Sequence, residues 1–139
     1  MLPERVAGID LSPAAVEFAA ARLPQAEISR ESVYEMPFED GSFDLVLCLE
    51  VLEHLREPQA ALAELARVGR HDLVVSVPDE PWFRLGSLLR GKYVSTLGNH
   101  PEHVNHWGPR SLRGLLEQQL EVVTLERSFP WLLARCRTP

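Results

Sequence analysis

Phe43-Asp44-Leu45-Val46-Leu47-Cys48-Leu49-Glu50-Val51-Leu52-Glu53-His54 decides the fold of this chain. Residues 45–49 are apolar without alternation, the pattern of a strand covered on both faces in a parallel sheet. Downstream, Pro58 opens a helix with Ala61, Leu62, Leu65 and Val68 along one side. Asp72 to Val77 then forms a second continuous apolar strand, closed by Pro78. Upstream lies a loop, residues 35–42, with a turn at Asp40-Gly41. Before it, Ala26 to Arg30 reads as a short strand. Arg5 to Ile9 reads as another, ending in Asp10. Ser12 then caps a helix whose first residue is Pro13, where the missing N–H costs nothing. Val16, Phe18, Ala19 and Leu23 give that helix an apolar side, and Pro24 stops it. Strands alternating with helices imply an α/β fold built on a parallel sheet. Toward the C-terminus a helix is expected from Ser111 to Gln119. Strands follow at Glu121–Leu125 and Trp131–Cys136. The Phe129-Pro130 connection between them is too short for a crossover, so this pair is expected to be antiparallel.

The 139 residues supply one core, and a single domain over 1–139 is expected. Residues 78–110 have a different composition, with Trp82, Gly86, Gly91, Gly98, His100, Pro101, His103, His106, Trp107 and Pro109, and read as a cap or substrate region. No apolar run approaches a membrane span, and the N-terminus has no basic region followed by a long apolar stretch. Cys48 and Cys136 are too few and too far apart for a disulfide scaffold, which points to a cytoplasmic location. The net charge of −6 argues against a partner held by non-specific attraction to phosphates, so a small-molecule substrate is expected.

Asp10 stands where ligands sit in an open α/β sheet, beyond the carboxyl end of a strand. A carboxylate there can accept both hydroxyls of a ribose, or it can simply cap the next helix. Two further runs stand at fixed spacing behind it: Met36-Pro37-Phe38-Glu39-Asp40-Gly41-Ser42-Phe43-Asp44-Leu45-Val46 and Glu50-Val51-Leu52-Glu53-His54-Leu55. Together with Ser76-Val77-Pro78, they resemble the class I S-adenosylmethionine-dependent methyltransferases of the type 11 group. The resemblance implies a Rossmann-like methyltransferase sheet, mostly parallel, with a C-terminal antiparallel hairpin. It implies methyl transfer from S-adenosylmethionine (SAM) to oxygen or nitrogen of an acceptor. It also implies cofactor-binding roles. Asp10, with Leu11 beside it, would take the ribose, Ser32 and Val33 would meet the adenine, and Leu49 would touch the methionine end.

The chain departs from the family at its start. A first strand ending in a glycine-rich loop is expected there, and no Gly-x-Gly occurs anywhere in the sequence. By resemblance the missing strand belongs in mid-sheet, and without it two strand edges stand unpaired. A truncated methyltransferase, a second chain that completes the sheet, and a sheet closed differently all answer this. The competing function is a non-catalytic methyltransferase-like subunit that docks a partner, or a second copy of itself, through those edges.

Two branches of the superfamily use a Glu-x-x-Glu-His cluster for a divalent ion: the ubiquinone-pathway O-methyltransferases and the small-RNA 3′-terminal ribose methyltransferases. The second also takes a histidine from a downstream segment similar to His100-Pro101-Glu102-His103. Glu50, Glu53, His54 and His103 are therefore a candidate Mg²⁺ set, on the premise that Glu50 points to the same side as the other two. The alternative is that Glu53 and His54 only tie down the cap. His103 or His106 could act as general base, since imidazole titrates near neutrality; a loop histidine tied to a carbonyl is the alternative for each. Trp82, Phe83 and Trp107 could line an apolar pocket or pack the cap. Arg84, Arg90, Lys92 and Arg110 give the cap a basic cast.

Overall fold

The computed structural model describes residues 4–79 and 104–139. The chain divides into two compact units, residues 1–38 and 39–139.

In the first unit, β1 (Ala7–Ile9) pairs in parallel with β2 (Glu27–Ser29), and α1 (Pro13–Arg22) connects them. Ser12 caps α1 by accepting a hydrogen bond from the Ala15 amide at 3.4 Å, and Pro13 occupies the first turn, as the sequence requires. Gly8 lets the two strands lie close, since a Cβ there would stand 3.0 Å from Ile28 Cδ1. β1 starts two residues later than expected and ends at Ile9 as expected, and β2 is one residue shorter at each end.

The second unit holds a four-stranded sheet in the order β3-β4-β6-β5. β3 (Phe43–Leu49) runs parallel to β4 (Gly69–Pro78). The crossover between them is a 3₁₀ turn, Leu52–His54, followed by α2 (Pro58–Val68). α3 (Pro109–Leu116) leads into the antiparallel hairpin of β5 (Glu121–Ser128) and β6 (Trp131–Arg137), with β6 laid antiparallel on β4. The expected turn at Asp40-Gly41 is present, and Gly41 takes the left-handed conformation it needs, with φ +60°.

The core lies on one face of this sheet. Cys48, Leu73, Val75, Val77, Leu132, Ala134 and Cys136 are buried there. α2 packs on β4 and β3, with Ala61, Leu62, Leu65 and Val68 buried, and α3 packs on β5, with Leu112, Leu115 and Leu116 buried. The opposite face corrects the expectation of a strand covered on both sides. Leu45, Leu47 and Leu49 are 54%, 59% and 48% exposed, because α2 and α3 both pack on the Cys48 side. Four strands are edges among the described residues: β1 and β2 have only each other, β3 has only β4, and β5 only β6. No helix among the described residues is long and apolar enough to cross a membrane.

Candidate functional site

Each unit carries candidate side chains at the carboxyl ends of its parallel strands, where an α/β sheet places its ligands.

In the first unit, Asp10 follows directly on β1 and is exposed. Its Oδ1 accepts the Ser12 amide at 2.7 Å, which orients the carboxylate at the start of α1, and among the described residues Oδ2 takes no hydrogen bond. Beside it is an apolar recess lined by Gly8, Ile9, Ala15, Val16, Ala19 and Ile28. A carboxylate at the rim of such a recess suits a ribose diol, so the donors present fit the sugar of a nucleoside cofactor. Leu11 is exposed next to it. Ser32 and Val33 follow β2 in a tight turn, where Ser32 Oγ accepts the Tyr34 amide at 3.2 Å and Ser32 bridges to Glu35.

In the second unit, β3 ends at exposed Leu49, and Glu50 breaks away with φ +56°. This corrects the premise of the metal set. Glu50 lies outside the 3₁₀ turn, and its side chain crosses β4 instead of joining Glu53 and His54. Glu50 Oε1 accepts from Ser76 Oγ at 2.7 Å, and Oε2 accepts from Trp131 Nε1 at 2.8 Å. The Glu50 amide also donates to the Ser76 carbonyl at 3.1 Å.

Glu53 is 2% exposed, and its Oε2 has no hydrogen-bond partner. Burial pushes its carboxyl up to about 7. Its own backbone N–H opposes the shift, the Glu50 charge adds to it, and His54 opposes it. His54 is exposed, with Nε2 4.0 Å from Glu53 Oε1. The turn that carries both is tied to the segment before α3. The Glu53 carbonyl accepts the Val104 and Asn105 amides at 2.8 and 3.0 Å. Asn105 Nδ2 donates to the carbonyls of Leu52 and Leu55 at 3.2 and 2.5 Å. That is the tying-down role the sequence left as the alternative, made by backbone and not by carboxylate.

Among the described residues no three His, Cys, Asp or Glu side chains gather into a metal-holding group. His103, the fourth member of the expected set, lies outside the described residues, as do Trp82, Phe83, Arg84, Arg90, Lys92 and His100-Pro101-Glu102. The described donors therefore do not form the expected Mg²⁺ set, since no three of them gather at one point. Of the two histidines considered as base, His106 is exposed in the segment leading into α3.

Asp79 was missed by the sequence reading. It follows β4 as Asp10 follows β1, so its position after Ser76-Val77-Pro78 was the available signal. It is 2% exposed, with Oδ2 3.0 Å from Arg127 Nε and Oδ1 without a partner. Its amide donates to the Pro130 carbonyl at 2.9 Å, and it bridges to Trp107, whose indole N–H is also buried without a partner. Burial lifts the Cys48 thiol to about 12 and the Cys136 thiol to about 11, so neither is a nucleophile at neutral pH.

Comparison with known proteins gives the family and the fold. A family model described as a methyltransferase domain matches residues 1–75, more than half of the chain. A ubiquinone biosynthesis O-methyltransferase of Alkalilimnicola ehrlichii is 30% identical over 136 residues, covering 79% of this chain and 54% of that protein. A Mycobacterium tuberculosis protein described as a probable SAM-dependent methyltransferase is 33% identical over 84 residues, covering 59% of this chain and 31% of its own length. The chain thus spans between a third and about half of these two curated relatives. Among solved structures, the complex of the Haloferax volcanii Trm112 methyltransferase activator with a methyltransferase contains a chain that superposes with a TM-score of 0.77. The match covers 97% of this chain and 72% of that one at 18% identity, which shows a shared fold.

Proposed function

We infer that this chain, which belongs to the class I SAM-dependent methyltransferase family, forms the cofactor and acceptor platform of an enzyme that methylates oxygen or nitrogen of a small molecule. The observation that carries this reading is Asp10. It lies inside the matched segment, at the carboxyl end of β1, with one oxygen fixed by Ser12 and the other taking no hydrogen bond among the described residues. It would accept the ribose hydroxyls of SAM, with Ser32 and Val33 at the adenine. When bound, SAM would supply the methyl group from its sulfonium, and the acceptor's proton would pass to solvent; Asp10, Ser32 and Val33 would hold the nucleoside. The protein's part is alignment and a site drier than bulk water. We propose no metal step, since Glu50, Glu53 and His54 do not converge.

Calorimetry with S-adenosylhomocysteine tests the reading. Micromolar binding that weakens at least about tenfold in Asp10→Ala supports it; that factor is about 1.4 kcal/mol, a modest value for two lost charge-assisted hydrogen bonds. Equal affinity in both proteins would reject the assignment of Asp10.

A second reading has its own observation. β1 and β3 each present an open edge, and open edges recruit strands. On that reading the chain is a methyltransferase-like subunit completed by a partner or by a second copy. Absence of cofactor binding in the isolated chain, combined with tight self-association, would favour it.

A further inference from the structure

We propose that Glu50 is a binding residue for a cationic amine of the methyl acceptor, with Ser76 and Trp131 holding its carboxylate in place. Calling the ligand the acceptor rests on the methyl-transfer reading above; the amine site itself does not.

The backbone supplies the first argument. Among the described residues Glu50 is the one non-glycine with positive φ, at +56°. A left-handed conformation at such a residue costs on the order of 1 kcal/mol and persists only where its surroundings impose it. Here it swings the side chain off the line of β3 and across β4. Ser76 Oγ at 2.7 Å and Trp131 Nε1 at 2.8 Å then take one oxygen each. The carboxylate is thereby held in one orientation before any ligand arrives, so little side-chain entropy remains to be lost on binding.

Charge supplies the second argument. Both donors are neutral, and no cation pairs with Glu50 among the described residues, although Asp72, Asp79, Glu64 and Glu117 nearby in the same unit all have an arginine. A carboxylate has about four acceptor sites, and these bonds use one on each oxygen. The group is exposed, so acceptor sites remain open to a ligand.

The surroundings define the ligand. Trp131, whose indole N–H meets the carboxylate, is 42% exposed, so apolar surface lies beside the bound oxygen. The indole meets the carboxylate edge-on through Nε1, and a fixed anion beside exposed apolar surface selects an ammonium carried on an apolar body. The direction of the side chain assigns it to the acceptor. It reaches over β4 to β6, away from the open edge of β3.

The probe is phenethylamine, with phenethyl alcohol as the same body without the charge. The readout is the Trp131 indole N–H signal of the ¹⁵N-labelled chain, assigned by its loss in Trp131→Phe. Saturable movement by the amine, with the alcohol at least about tenfold weaker, is expected. Glu50→Gln should abolish that preference while leaving S-adenosylhomocysteine affinity unchanged. Ser76→Ala keeps the charge but frees one oxygen, and should weaken the amine severalfold; it also carries the test if Glu50→Gln does not fold. Equal binding of amine and alcohol, or an amine affinity indifferent to both substitutions, overturns the proposal. So does a Glu50→Gln protein that loses cofactor affinity, which would give this carboxylate to the cofactor's own ammonium. Glu50-dependent amine binding in a chain with no affinity for S-adenosylhomocysteine would keep the amine site and defeat the methyl-transfer reading.

Discussion

At the scale of the residue, the carboxylates at the strand ends differ in what surrounds them. Asp10 and Glu50 are exposed and oriented by neutral donors, the condition of a group that meets a ligand. Glu53 is buried with one oxygen unpartnered, and its carboxyl is lifted to about 7 from an ordinary 4.5. A raised folded-state value means that the native protein holds this proton more tightly than the unfolded chain. Between pH 4.5 and 7 the native state therefore binds more protons, and stability falls as pH rises through that window. The loss is on the order of 3 kcal/mol by neutral pH. Glu53→Gln cannot ionise, so its urea-unfolding stability should stay level where the wild type declines. Groups common to both proteins cancel in the difference. Parallel stability curves from pH 4.5 to 7.5 would show that Glu53 ionises in the native state at no cost.

At the scale of the element, the helices were the most legible part of the sequence. Ser12-Pro13 and Pro58 start helices because cap and proline act locally, within one turn, and Ala61, Leu62, Leu65 and Val68 are all buried as their spacing requires. The hairpin was legible too, since a short connection allows only antiparallel pairing; both strands extend past their expected ends because ladder bonds continue past the apolar residues. What could not be read was non-local. The unbroken run of residues 45–49 does not say which face a helix covers, and the helices cover only the side of Cys48. The spacing of Glu50, Glu53 and His54 suggested one face of a turn, but Ser76 and Trp131, 26 and 81 residues away in sequence, decide where Glu50 points. Asp10 was legible because strand, acid and cap are contiguous. Asp79 has the same placement, but its burial depends on Arg127, Trp107 and Pro130. The strap on the 3₁₀ turn was equally hidden, since Asn105 lies far from Leu52 and Leu55. Asn105→Ala takes the donor from the Leu55 carbonyl and one of two donors from the Leu52 carbonyl, and about 1–3 kcal/mol of stability should go with it. Hydrogen exchange should speed up at the His54 and Leu55 amides, which close that turn, more than in the β4–β6 ladder. Uniform acceleration would mean that Asn105 supports the whole unit and not the turn.

At the scale of the whole molecule, the open edges set the chain's behaviour in solution. β3 is a seven-residue strand with a free edge, and Leu45, Leu47 and Leu49 project from its uncovered face. Proteins blunt such edges with lysines, prolines or bulges, and the outward residues of β3 carry none of these along its upper half. The ladder to β4 shifts register only at Phe43/Leu45, at the opposite end. Unpaired backbone groups and exposed leucines on one strand favour pairing with another chain, so association should rise with concentration in sedimentation velocity. Leu47→Lys puts a charge in the middle of that stripe. Leu47 contributes little to the core because it lies on the open face, so the stability change should stay within about 0.5 kcal/mol. The variant should remain monomeric at concentrations where the wild type associates, with an unchanged far-UV spectrum. If it associates as strongly as the wild type, the β3 stripe is not the contact, and the β1 edge is the next to charge. If association disappears and S-adenosylhomocysteine binding disappears with it, the cofactor site is completed across copies. If binding persists in the monomer, one chain suffices for the site at Asp10, and the open edge is a surface for something other than a second copy.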